Sequence, residues 1–253
     1  MTIDEVFPRP TVKQVIFQIR YPNLFYLDSS IGDFQLKIMK QFQESAELFK
    51  KQFILAGLGP EQQLADLSTE VKPDSTQKIW QFKSESGVTV NVTRDSLDIN
   101  STHHKTYQNE GSEKFRDQIQ SVVDSFKETI EIPIITRIGL RYIDECPIVE
   151  KNNERFSEWY NTTFPINRFK IDTAIEMDTK SVVEIEDCFL RFIESLRVDN
   201  NNHKLILDFD AYKKMIDPND YLTATDKLHS IIIKEFEKSI QEPVYEYMRG
   251  QPE

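Results

Sequence analysis

A chain of 253 residues, 39% hydrophobic and 29% charged, is long enough to bury a substantial core and has the composition of an ordinary globular protein. Its formal net charge of −11 opposes nucleic-acid phosphates and argues against direct nucleic-acid binding, while suiting solubility or a basic protein partner. Seven glycines and two distant cysteines, Cys146 and Cys188, argue against a glycine-rich phosphate loop, a disulfide framework and a cysteine zinc site.

The first residues, Met1 to Val6, carry no basic stretch followed by an apolar one, and no apolar run approaches ~18 residues. The expectation is a cytoplasmic protein with no membrane span. Residues 1 to 11 should run extended into a strand from Val12 to Tyr21, with Val15, Phe17, Ile19 and Tyr21 on its apolar face. Ser30 with Asp33 reads as a capping box. It should open a helix reaching about Phe53 with Phe34, Ile38, Phe42, Phe49 and Phe53 on one side, stopped by Gly57 and Gly59-Pro60.

A meander is expected next: a short strand at Leu67 to Val71, then Lys78 to Ser84, Val88 to Thr93 and Leu97 to Asn100. Phe115, Ile119, Val122, Val123, Phe126 and Ile130 form the clearest helical stripe in the chain, ended by Pro133. The strand Ile134 to Cys146 follows. Ile138, Leu140 and Tyr142 should point to one side of it, Arg137, Gly139 and Arg141 to the other.

The second half predicts a short helix over Asn153 to Asn161 and a strand over Phe169 to Met177. Val182 to Glu186 and Cys188 to Val198 read as one long strand broken by a bulge. A turn at Asn200 to Asn202 leads to a partner strand, Lys204 to Tyr212. Thr223 with Asp226 reads as a capping box for a helix bearing Leu228, Ile232, Phe236 and Ile240, ended by Pro243. The tail from 244 onward should fray unless Val244, Tyr245 and Met248 dock it. Meander followed by helix occurs twice. The expected fold is therefore α+β, with two similar lobes (1–147 and 148–253) or one continuous domain. Each lobe would be a mostly antiparallel sheet with long amphipathic helices packed on one face.

Few residues invite a chemical reading. Arg137 and Arg141, flanking Gly139 and beside Tyr142, could bind an anion through their planar forks, with the glycine allowing close approach. Otherwise they pair with cross-strand acids such as Glu176 or Asp178. Asp208 and Asp210 share a strand face and could hold Mg²⁺, or could pair with Arg137, Arg141, Arg191 or Arg197. Glu184 and Glu186 form a third such pair. It resembles the Glu-x-Glu-x-Lys start of tunnel-type triphosphate hydrolases, but Cys188 stands where the lysine is needed. His103, His104, His203 and His229 show no metal-ligand spacing, so no metal or cofactor is expected. Phe156, Trp159, Tyr160 and Phe164 fill the junction between lobes or form a protein-binding patch.

Pro10 to Tyr21 (Pro-x-Val-x-x-Val-Ile-Phe-x-Ile-Arg-Tyr), Arg137 to Ile143 (Arg-Ile-Gly-Leu-Arg-Tyr-Ile) and Leu207 to Tyr212 (Leu-Asp-Phe-Asp-Ala-Tyr), followed by Leu228-His229 and a terminal helix, resemble one family. It is an uncharacterised, sporadically distributed bacterial family of chains of this length. The resemblance implies no activity and no catalytic residues; by analogy it suggests an accessory, antitoxin-like or defence-associated role. The expectation is a non-enzymatic binding protein that engages a protein partner through an acidic surface and an exposed sheet face, and could self-associate. The alternative is a sensor or metal-dependent enzyme for a phosphorylated or nucleotide ligand. Arg137, Arg141, Tyr142, Asp208 and Asp210 are the candidate binding residues.

Overall fold

The computed structural model describes residues 5–51, 76–110, 113–199 and 202–250. Among the described residues, nine strands form one sheet in which every neighbouring pair is antiparallel, in the order β2-β3-β4-β5-β1-β6-β9-β8-β7. The strands are β1 Val12–Arg20, β2 Glu44–Lys51, β3 Thr76–Lys83, β4 Thr89–Val92, β5 Ser96–Ser101, β6 Ile135–Cys146, β7 Met177–Ile185, β8 Cys188–Asp199 and β9 Asn202–Ile216. The helices are α1 Leu27–Ile38, α2 Phe115–Lys127, α3 Asn153–Trp159, α4 Tyr221–Ser239 and α5 Glu242–Arg249. Among the described residues, no helix is long and apolar enough to cross a membrane.

The mixed α+β composition matches the expectation, but the two halves share one sheet. Each half runs strand, helix, meander, helix, and the last meander strand returns beside the opening strand: β5 beside β1, β9 beside β6. The opening strands then pair with each other, from Val12 opposite Asp144 to Arg20 opposite Arg137. β6 is therefore the spine, bonded to its own half through β9 and to the other half through β1.

Cross-strand register shows why the core lies on one face. Val90, Ile99, Phe17, Leu140, Ala211 and Leu190 are successive partners across the sheet, and all are buried. The helices cover this face. Phe34 of α1 meets Phe82 and Phe126 edge-on at 5.7 and 5.2 Å, and Phe236 of α4 meets Phe209 at 6.1 Å. The stripe expected on α2 is buried in full, from Phe115 to Phe126, with Ile130 buried just beyond.

Several expected elements differ. The first helix ends at Ile38 rather than Phe53. Phe42 continues the buried stripe through a tight turn, its amide bonded to Ile38 O at 2.9 Å, but Phe49 is 65% exposed on edge strand β2. Pairing with β3, reinforced by Lys78 to Glu47 at 2.8 Å, overrides the helical spacing there. Neither capping box forms. α1 starts at Leu27, so Ser30 sits inside it, and α4 starts at Tyr221, so Thr223 does too.

Phe169 to Met177 is a loop with a 3-10 turn, and the strand begins at Met177. The expected bulge is a two-residue hairpin, Glu186-Asp187, with Glu186 at φ 57°. Glycine or asparagine usually marks such a turn; here Lys227 binds both acids, at 2.5 and 2.6 Å, and Lys213 binds Asp187 at 2.5 Å. With Glu186 in the turn, the Glu184-Glu186 pair does not continue along a strand. Pro243 opens α5 rather than ending a helix, and Val244 and Met248 dock it. The expectations for Leu67 to Val71, the stop at Gly57 to Pro60, and Asn200-Asn201 lie outside the described residues.

Phe156, Tyr160 and Phe164 are buried and mutually packed, at 5.2 and 6.1 Å from Phe156, and the Tyr160 hydroxyl donates to Pro147 O at 2.5 Å. This cluster is core, as its filling role required. Cys146 and Cys188 are buried free thiols as expected. Burial pushes the Cys146 thiol well up and Cys188 up to about 11, so neither is poised as a thiolate.

Candidate functional site

The face without helices carries the candidate residues. On β6, Arg137, Gly139 and Arg141 point to it, as the alternation required. Gly139 lies opposite Gln18 on β1 and Tyr212 on β9. With no side chain at 139, the Arg137 guanidinium folds back over the glycine. A Cβ there would meet Arg137 Nη1 at 2.5 Å. Arg137 then reaches both neighbouring strands. Its Nη1 donates to Gln18 Oε1 at 3.1 Å, its Nη2 donates to Asp210 Oδ1 and Oδ2 at 3.0 and 3.2 Å, and its plane lies 4.7 Å from the Tyr212 ring centre. The close approach allowed by Gly139 is thus taken by the chain's own guanidinium.

Arg141 makes a two-pronged contact with Asp208, Nε to Oδ1 at 2.7 Å and Nη2 to Oδ2 at 2.6 Å. This charge-assisted fork raises the Arg141 pKa further. Arg191 Nη2 lies 3.5 Å from Asp210 Oδ2, while its Nε is buried without a hydrogen-bond partner. The partners of the arginines are therefore Asp208 and Asp210; Glu176 and Asp178 bind Arg197 instead, at 3.5 and 3.4 Å. Each aspartate is already held by arginine, so a Mg²⁺ ion at either would have to displace a guanidinium. Among the described residues, no group of three or more His, Cys, Asp or Glu is placed to hold a metal.

Around this ladder the sheet forms a concave strip of about 480 Å³, lined by Gln18, Arg20, Arg137, Arg141, Arg191 and Lys214 among others. Five cations and one carboxylate, Asp210, line it, with Asp208 behind Arg141 and Asp98 behind Gln18, in a chain whose net charge is −11. The strip carries more cations than carboxylates, while the Arg137 and Arg141 forks are already engaged by Asp210 and Asp208.

Tyr142 is not part of this face. It points beneath the helices, 5% exposed, and its hydroxyl has no hydrogen-bond partner. Beside it on the same face is Asp144, which was not singled out from the sequence. It is 2% exposed, accepts from Thr11 Oγ1 at 2.8 Å, and burial pushes its carboxyl up to about 7. The signal was present: Ile138, Leu140, Tyr142 and Asp144 alternate in register, so an inward Tyr142 implies an inward Asp144.

A polar cluster nearby was also missed. Arg116 of α2 grips Asp226 of α4 with two bonds, at 2.8 and 2.9 Å, and Tyr107 donates to the same carboxylate at 2.7 Å. His229 stacks on Tyr107 at 4.1 Å and burial lowers its pKa to about 4. No local spacing announces these contacts, because their partners are more than 100 residues apart.

No family model, no curated protein and no solved structure matches this chain, so the reading of both faces rests on its own residues.

Proposed function

We propose that the protein is a non-enzymatic binding protein that docks an acidic segment of a protein partner along the open sheet face. The observation carrying this reading is the concentration of Arg20, Arg137, Arg141, Arg191 and Lys214 on one concave strip of an otherwise acidic molecule. A pre-paired ladder suits a broad surface contact: Arg137 and Arg141 are held rigid by Asp210 and Asp208, and Arg20, bonded to Gln18, and Lys214 extend the cationic strip to its rim. A phosphorylated or nucleotide small molecule is the second reading, favoured by the arginine forks, but it would have to break the Arg141–Asp208 pair to gain a full fork. The resemblance to the sporadically distributed bacterial family supports an accessory, antitoxin-like or defence-associated setting. The shared order of elements supports two related halves, β1 to α2 and β6 to α5, joined by the β1–β6 pairing, with the division ahead of β6 rather than at 147.

Fluorescence anisotropy with a labelled decapeptide of alternating Glu and Asp tests the site, with a Lys/Ser decapeptide as control and pyrophosphate as competitor. Saturable, salt-sensitive binding of the acidic peptide is expected. The Arg20→Glu/Lys214→Glu variant should weaken it about tenfold, or ~1.4 kcal/mol, with an unchanged Tm. Equal binding by the variant, or preference for the basic peptide, refutes the docking face. Displacement by micromolar pyrophosphate would favour the small-molecule reading.

A further inference from the structure

A second site lies on the opposite, helix-covered face. Between the N-terminal segment, the end of β6 and α4 is a cavity of about 80 Å³. Phe7, Ile232, Phe236 and Met248 supply apolar wall, and Tyr142 and Asp144 supply polar lining from the strand. Nothing in the ladder on the other face uses these groups.

Three observations point to an occupant. The Tyr142 hydroxyl is fully buried yet has no hydrogen-bond partner, which is rare for a buried polar group. Asp144 is buried with a single side-chain hydrogen bond, from Thr11, and its raised pKa of about 7 keeps much of it protonated near neutrality. His229, held neutral by burial, lines the cavity with its ring stacked on Tyr107 and so adds no charge. Glu5 and Lys105 also line the cavity, the Lys105 ammonium donating to Val12 O and Thr102 O at 3.0 and 2.9 Å, and apolar walls around a few hydrogen-bonding groups are the usual make-up of a small-molecule site.

We propose that this cavity binds a small neutral molecule with a short apolar body and one hydroxyl group, the hydroxyl accepting from Tyr142 with Asp144 close by. A carboxylate ligand would face Asp144 and Glu5, while the one lysine of the lining, Lys105, is already held by the Val12 and Thr102 carbonyls. An amine would need an ionised Asp144 and a buried ion pair, whose desolvation cost is heavy. A hydroxyl can both accept and donate, and so satisfies the phenol with no buried charge. The volume is roughly half the ~150 Å³ that accommodates benzene, so the body has a few carbon atoms, with any longer tail passing the N-terminal segment.

The test is a titration of protein carrying ¹³C-labelled Ile and Met methyl groups with 1-butanol and with 1-chlorobutane, which matches it in shape but lacks the hydroxyl. The Ile232 and Met248 methyl signals should move saturably with 1-butanol, and 1-chlorobutane should bind at least about tenfold more weakly. Tyr142→Phe removes only a hydroxyl that has no partner, so the variant should keep its methyl spectrum and lose that discrimination. No saturable shift with 1-butanol would mean a cavity that holds water alone and would overturn the proposal. Equal binding of the two probes, or a hydroxyl preference that survives Tyr142→Phe, would overturn it as well.

Discussion

Replacing Gly139 by alanine should dismantle the ladder from its middle. The new methyl carbon would stand 2.5 Å from Arg137 Nη1 and 3.0 Å from its Cζ, so the guanidinium must leave the saddle. Arg137 would give up its bonds to Gln18 and Asp210 and its stacking on Tyr212. A hydrogen bond to a charged group contributes ~1.5–3 kcal/mol. Removing glycine from a strand returns ~0.4–1 kcal/mol through the unfolded chain. The net loss is about 1–2 kcal/mol, or a Tm lower by about 2–8 °C for a chain of this size. In an Arg137→Ala background the steric conflict is gone, and Gly139→Ala should be neutral or stabilising by ~0.4–1 kcal/mol. Urea denaturation of the two single variants and the double variant closes the cycle. Equal cost of Gly139→Ala in both backgrounds would show that the glycine is not there to seat Arg137.

Arg141→Ala should cost about 3–5 kcal/mol in urea denaturation, because it strands the largely buried Asp208 carboxylate; Arg141→Met with Asp208→Leu should cost far less. Equal losses would mean that the pair is not the source of the penalty. Asp144 and His229 should impose opposite pH slopes. The folded Asp144 titrates near 7 rather than near 3.8, so its stabilising effect is complete at acid pH and is lost as pH rises from about 4 to 7. The folded His229 titrates near 4 rather than 6.5, so its effect is complete above about 6.5 and is lost as pH falls towards 4. At about 1.4 kcal/mol per pKa unit, the slopes amount to ~4–5 kcal/mol for Asp144 and ~3–4 kcal/mol for His229, and the two largely cancel. Asp144→Asn should therefore gain stability relative to the parent as pH rises from 4 to 7, and His229→Phe should show the reverse; chemical denaturation across that range would refute both assignments if the differences stayed flat.

Sequence patterns of short period were legible. The 3.6-residue spacing from Phe115 to Phe126 located α2, and the two-residue alternation from Arg137 to Tyr142 assigned both faces of β6. Both patterns arise from backbone geometry within one element, so the local sequence carries them in full. Where local spacing and pairing disagreed, pairing won: Phe42 to Phe49 continue a helical rhythm, yet β3 draws Glu44–Lys51 into the sheet. The Glu186-Asp187 turn carries no glycine or asparagine, and lysines from β9 and α4 hold it instead.

The residues of the ladder were visible from the sequence, but not their partnership. Arg137 reaches Asp210, and Arg141 reaches Asp208, only because β9 returns from the far side of a hairpin to lie beside β6. The alternation of β6 puts Tyr142 on the other face with Asp144, and the packing of α4 brings His229 beside Tyr142. By itself the sequence determined which side chains share a face, since that follows from the period of one strand. Which strands and helices stand next to that face was decided by the tertiary structure, because neighbours in a sheet are set by the route of the chain between them.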